Sequence, residues 1–173
     1  MKLYVMRHAP REPSDDFTEA EEGDPEAEIT AEGRLIATAM GEWMVDNDEI
    51  PTCIYASDAV RTQQTAELVV QAIADKGFAA PEIKTDVGIG PYMSIRGLVL
   101  KLAGNDSKRV AIVSHQQSIK SGLRALNVDN DDSQKPDPHA AGEIRVLNVK
   151  RKTGKWAEEC RVRPSDLGFD DVY

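Results

Sequence analysis

The chain has 173 residues, 40% apolar and 29% charged, with a net charge of −9, a balance suited to one soluble domain over 1–173 with a sizeable core. The negative balance argues against nucleic acid and anionic membrane as partners, and no apolar run approaches the roughly 20 residues needed to span a bilayer. Cys53 and Cys160 stand far apart, fit no metal-ligand or redox spacing, and follow no signal-peptide pattern; they read as reduced thiols of a cytoplasmic protein.

Residues 3–6 read as a buried strand, followed directly by Arg7 and His8. For that dipeptide alone a solvated strand end is the commoner reading, and a rigid mount for a reactive imidazole the rarer one. Residues 9–28 form a loop with three prolines and nine acidic residues against one arginine. This is either a solvated excursion or a lid beside Arg7 and His8. Thr30 is a good N-cap, and Leu35, Ile36, Ala39, Met40, Trp43 and Met44 recur at helical spacing as a core-facing stripe. After Pro51, residues 53–56 predict a short buried strand. A helix over 61–76 follows, with Ala66, Val69, Val70 and Ile73 inward and Gly77 at its C-terminal cap.

Further along, the patterns predict a strand over 83–87, a helix over 94–102, a buried strand over 110–113 and a helix over 118–126. Strands over 143–149 and 156–163 are joined by the KRKTGK turn as a hairpin. Alternating strands and helices predict a three-layer α/β/α fold with a mostly parallel central sheet; the C-terminal hairpin adds antiparallel character. Acidic residues dominate 12–49, and seven basic residues fall within 145–163.

In open α/β sheets ligands sit outside the carboxyl ends of the strands. There the first strand delivers Arg7 and His8, the second Ser57 with Arg61 opening the next helix, and the central one Ser114 and His115. Chance places one such pair more readily than three at equivalent positions. Two guanidiniums hold a phosphate through forked, charge-assisted hydrogen bonds. A neutral imidazole is a competent nucleophile at phosphorus, and helix N-termini favour the anion. Such a cluster builds locally the positive field that a chain of net charge −9 lacks globally. His139, in KPDPHAAG, reads as a solvated loop histidine, Ser57 as either a phosphate ligand or a turn residue, and Gln64 and Thr65 as packing or catalytic residues.

These features resemble the histidine phosphatase superfamily, which includes phosphoglycerate mutases. Arg7-His8 matches its pair after the first strand, Ser57 with Arg61-Thr62-Gln63-Gln64-Thr65-Ala66 its second signature, Ile29-Thr30-Ala31-Glu32-Gly33 the element before the first helix, and Val113-Ser114-His115 its late element. The resemblance runs from residue 2 to about 126 and implies a phosphoglycerate mutase-like fold. It also implies attack by His8 on the phosphoryl group, with Arg7, Arg61 and His115 binding phosphate and stabilising the transition state. Ser57, Asp86 and Gln116 are candidate substrate-binding residues. Water would then release inorganic phosphate, and no metal or cofactor is implied.

Two departures stand out. Ala9 replaces a common glycine, and Gly88 stands where many members carry an acidic proton donor; Asp86, Asp58 or an acid of the 12–28 loop would have to serve instead. Because a phosphorylated imidazole needs little help in leaving, the short chain and weak acid position resemble the compact SixA-like phosphohistidine phosphatases, whose substrate is a phosphorylated protein. The alternatives are a phosphomonoesterase or mutase acting on a small phosphorylated metabolite, and a non-catalytic phosphoprotein-binding module.

Overall fold

The computed structural model describes residues 1–13, 24–104, 108–126, 128, 138–150 and 155–173. Its strands are β1 (Lys2–Arg7), β2 (Cys53–Ala56), β3 (Glu82–Thr85), β4 (Arg109–Ser114), β5 (Ile144–Lys150) and β6 (Lys155–Val162). Its helices are α1 (Ala31–Asp46), α2 (Val60–Asp75), α3 (Arg96–Gly104) and α4 (Gln116–Ala125), with 3₁₀ turns at Val87–Ile89 and Pro164–Leu167. The strands form one sheet in the order β3-β2-β4-β1-β5-β6. The first four are mutually parallel, whereas β5 runs antiparallel to both β1 and β6. The expected layering is present, and each predicted element lies within a few residues of its place. The interior of the KRKTGK turn and the middle of the 9–28 loop lie outside the described residues.

A parallel sheet must cover both faces, and alternation along its strands divides the core in two. Tyr4, Met6, Ile54, Ala56, Ala111, Val113, Ile144 and Val146 pack with Ile36, Met40, Met44, Val69 and Ile73 of α1 and α2. Leu3, Val5, Val110, Ile112 and Leu147 pack on the opposite face with Val99 of α3 and Ile119 and Leu123 of α4. Among the described residues no helix is long and apolar enough to cross a membrane.

The Thr30 hydroxyl accepts the Gly33 amide at 2.9 Å and so starts α1 as expected. The buried face, however, is Gly33, Ile36, Ala37, Met40, Gly41 and Met44, while Leu35 is 61% exposed. The stripe predicted from hydrophobicity is therefore rotated. Glycines draw the helix in, because a Cβ at Gly41 would lie 2.7 Å from both the Ala72 Cβ and the Val69 carbonyl oxygen. Close approach of α1 to α2 outweighs burial of one leucine.

Candidate active site

Strand β1 is flanked by β4 and β5, and Arg7 pairs with Ser114 at the ends of two parallel strands. The pairing continues past the strand, since the His8 amide donates to the Ser114 carbonyl at 3.0 Å. His8 and His115 are thereby neighbours, their rings edge-on with centroids 5.4 Å apart. On the far side of β4, the Ser57 amide donates to the Val113 carbonyl, which brings the start of α2 to the same edge. Arg61 and His115 are fully buried, and His8 is only 3% exposed.

Hydrogen bonding assigns the protons. The Ala9 carbonyl can only accept, so the 2.8 Å contact makes His8 Nδ1 the donor and directs the lone pair to Nε2. A guanidinium can only donate, so His115 Nδ1 accepts from Arg61 Nη2 at 3.2 Å. His115 Nε2 then donates to Ser57 Oγ at 2.8 Å. Ser57 passes its proton toward Thr62 Oγ1, also at 2.8 Å, and Thr62 donates to the Ala59 carbonyl at 2.7 Å. Burial holds both imidazoles neutral. His8 lies well below the usual imidazole value, chiefly through desolvation and then through the charges of Arg61 and Arg7. Its bond to Ala9 opposes that shift. His115 falls to about 3 through desolvation, Arg61 and Arg7. A neutral imidazole nitrogen thus stands among fixed positive charges, an arrangement that attracts an anion and leaves the ring able to act as a nucleophile.

The surrounding backbone is pinned. Arg7 Nη1 donates to the His139 carbonyl at 2.8 Å, and Arg61 Nη1 to the Asp24 carbonyl at 2.6 Å. The Gly142 amide donates to the carbonyls of Arg7 and His8 from a backbone at φ +87°, a conformation suited to glycine. His139 is not solvated as expected but 4% exposed. Its Nε2 donates to the Glu143 carbonyl at 3.1 Å. The reason is the wholly buried Glu143, whose carboxylate accepts the Ala140 amide at 3.1 Å and pairs with Arg145, Arg161 and Arg163 at 3.3, 3.4 and 3.5 Å. That carboxylate draws the 138–143 turn into the molecule.

The other candidates divide. Ser57 holds Thr62 and His115 together. Thr65 Oγ1 receives the Ala9 amide at 3.0 Å, and Gln64 Oε1 the Ile29 amide at 2.9 Å, so both position the loops beside the site. Gln116 is the half-buried first residue of α4, next to His115. Asp58 is exposed. Asp86 follows β3, and the turn it opens returns to β4, where Ser114 Oγ donates to the Ile89 carbonyl at 2.6 Å. The Asp86 carboxylate accepts the Gly88 amide at 2.8 Å. A cavity of about 270 Å³ opens on Arg7 and His8, bounded by Pro10, Arg11, Glu12 and Pro13 on one side and Ala141, Val172 and Tyr173 on the other. The roles of Thr62, Glu143 and the Val172–Tyr173 wall were missed from sequence; for Thr62 the helical spacing from Arg61 to Thr65 was the available signal.

Comparison with known proteins agrees with this geometry. Residues 3–84 match the histidine phosphatase superfamily (branch 1). The fold superposes on the protein histidine phosphatase SixA complexed with tungstate with a TM-score of 0.76 at 16% identity, covering 96% of this chain and 99% of that one. A SixA phosphohistidine phosphatase assignment from Agrobacterium tumefaciens superposes with a TM-score of 0.73 at 19% identity, covering 94% and 98%. The mycobacterial glucosyl-3-phosphoglycerate phosphatase superposes with a TM-score of 0.67 at 15% identity, covering 91% and 96%. No curated protein matches at the level of sequence.

Proposed function

We propose that this chain, whose residues 3–84 match the histidine phosphatase superfamily (branch 1), is a phosphatase whose turnover runs through a phosphohistidine on His8 and whose donor is phosphohistidine of a protein. The observation that carries this reading is the His8 tautomer, with Nδ1 committed to the Ala9 carbonyl and the Nε2 lone pair left to attack beside Arg61 and His115. In the first step His8 Nε2 bonds to phosphorus while the bond to the leaving group breaks. Arg7 and Arg61 hold the phosphoryl oxygens through the charge that develops on them. In the second step water attacks phosphorus, the bond to His8 breaks, and phosphate departs.

Two observations support a phosphohistidine donor. Gly88 stands where the resemblance expects an acidic proton donor, Asp86 accepts the Gly88 amide, and an N–P bond needs the least protonation help. The fold also covers nearly the whole length of SixA. A second reading, a phosphomonoesterase for a small metabolite, is supported by the cavity beside His8 and the likeness to the mycobacterial phosphatase.

Turnover of ³²P-labelled phosphohistidine peptide tests the mechanism. Acid-labile label should appear on the wild-type protein and be lost in His8→Ala, together with activity. Turnover by wild type with label still appearing in His8→Ala would place the nucleophile elsewhere. Comparing kcat/KM for that peptide with values for sugar and aryl phosphates decides between the two donors.

A further inference from the structure

Both steps above move protons, and the question is which carboxylate serves them. Several acids near the site are committed elsewhere. Asp86 caps the Gly88 amide, and Asp24 accepts the Glu26 amide at 2.9 Å. Glu28 pairs with Arg34 at 3.2 Å, and Glu143 with its arginines. Among the described residues bounding the cavity that opens on Arg7 and His8, the one side-chain carboxylate is that of Glu12.

Its backbone is held in place. The Glu12 amide donates to the Glu28 carbonyl at 2.8 Å, Arg11 and Ile29 form an antiparallel bridge, and the Thr30 amide donates to the Pro10 carbonyl at 2.9 Å. Pro10 and Pro13 flank the segment and limit its freedom further. A fixed backbone at the cavity wall is what proton transfer requires, because a donor must come within about 3.2 Å of its acceptor.

We propose that Glu12 is the proton donor and acceptor of the reaction. This rests on the phosphatase reading above and extends it from N–P to O–P donors. In the first step His8 Nε2 bonds to phosphorus and the P–O bond of an ester breaks. The electron pair goes to the leaving oxygen, which takes the proton of the Glu12 carboxyl. With phosphohistidine the P–N bond breaks, and the departing ring needs that proton far less. In the second step the Glu12 carboxylate takes a proton from the attacking water as the P–N bond to His8 breaks. His8 returns neutral and Glu12 returns protonated.

The test compares Glu12→Gln with wild type on ethyl phosphate and on p-nitrophenyl phosphate, reading kcat/KM, which reports the first transfer. The poor leaving group needs protonation and the good one does not. Glu12→Gln should therefore lose about 100-fold more on ethyl phosphate than on p-nitrophenyl phosphate, within the range expected of general acid catalysis. Glu12→Asp should recover part of that difference. Equal losses on the two esters, or none, overturn the assignment of Glu12 while leaving the phosphatase reading intact. Absence of wild-type turnover on either ester and on phosphohistidine peptide overturns both.

Discussion

One hydroxyl decides the protonation pattern of His115. With Arg61 donating to Nδ1, the neutral ring carries its proton on Nε2, and Ser57 accepts it. Ser57→Ala should leave a buried N–H without its partner and cost about 1–3 kcal/mol in urea denaturation. In ¹⁵N spectra the His115 ring should show the Nε2-protonated form in wild type and lose that single form in the variant; an unchanged spectrum would remove Ser57 from the network. The meeting of Arg7, His8, Arg61 and His115 was legible from sequence because each follows a buried strand or opens the helix after one, and strand ends in a parallel sheet share an edge. The burial of His139 was not legible. It depends on Glu143 meeting arginines of β5 and β6, a contact no local pattern encodes. Nor does a local pattern announce that the Asp86 carboxylate accepts the Gly88 amide.

At the scale of elements, the helix pair α1–α2 determines where Arg61, Thr62 and Thr65 stand. The pair packs backbone to backbone at Gly41, against Val69 and Ala72. A methyl group there meets a carbonyl that cannot move without displacing α2. Gly41→Ala should therefore destabilise by about 1–3 kcal/mol, the usual range for overpacking, and should raise KM for phosphate esters as Arg61 shifts. Unchanged denaturation midpoint and kinetics would show that α1 and α2 yield freely. The periodicity of α1 announced a helix and its N-cap, but hydrophobicity alone set the wrong rotation, with Leu35 inward. Contact distance between two helices depends on the small residues of both, and a single stripe does not carry that information.

For the whole molecule, three buried neutral imidazoles imply a definite pH dependence. His8, His115 and His139 are each lowered from the ordinary value, in every case chiefly by desolvation. Their unfolded counterparts take up protons below about 6.5 while the folded ones do not. Their contribution is thus complete above that pH and is lost as pH falls toward the folded values, which is about 3 for His115. Stability should drop between pH 7 and pH 5 by at most about 1.4 kcal/mol per pH unit for each imidazole. Glu143 opposes the trend, being raised by its burial. Urea titrations at the two pH values measure the sum, and a flat or rising profile would show that the imidazoles are not held neutral.

The strand that carries His8 precedes both of its sheet partners in the chain. Lys2 of β1 pairs with Arg109 on one side and with Asn148 on the other, so both edges wait for partners more than a hundred residues downstream. The surroundings of His8 are therefore complete only once β4 and β5 have paired with β1. A prematurely terminated copy ending before β5 would carry Arg7, His8, Arg61 and His115 and still present a bare central edge, prone to pair with another chain. Burying β1 in mid-sheet thus makes the shape of the site depend on strands distant in sequence.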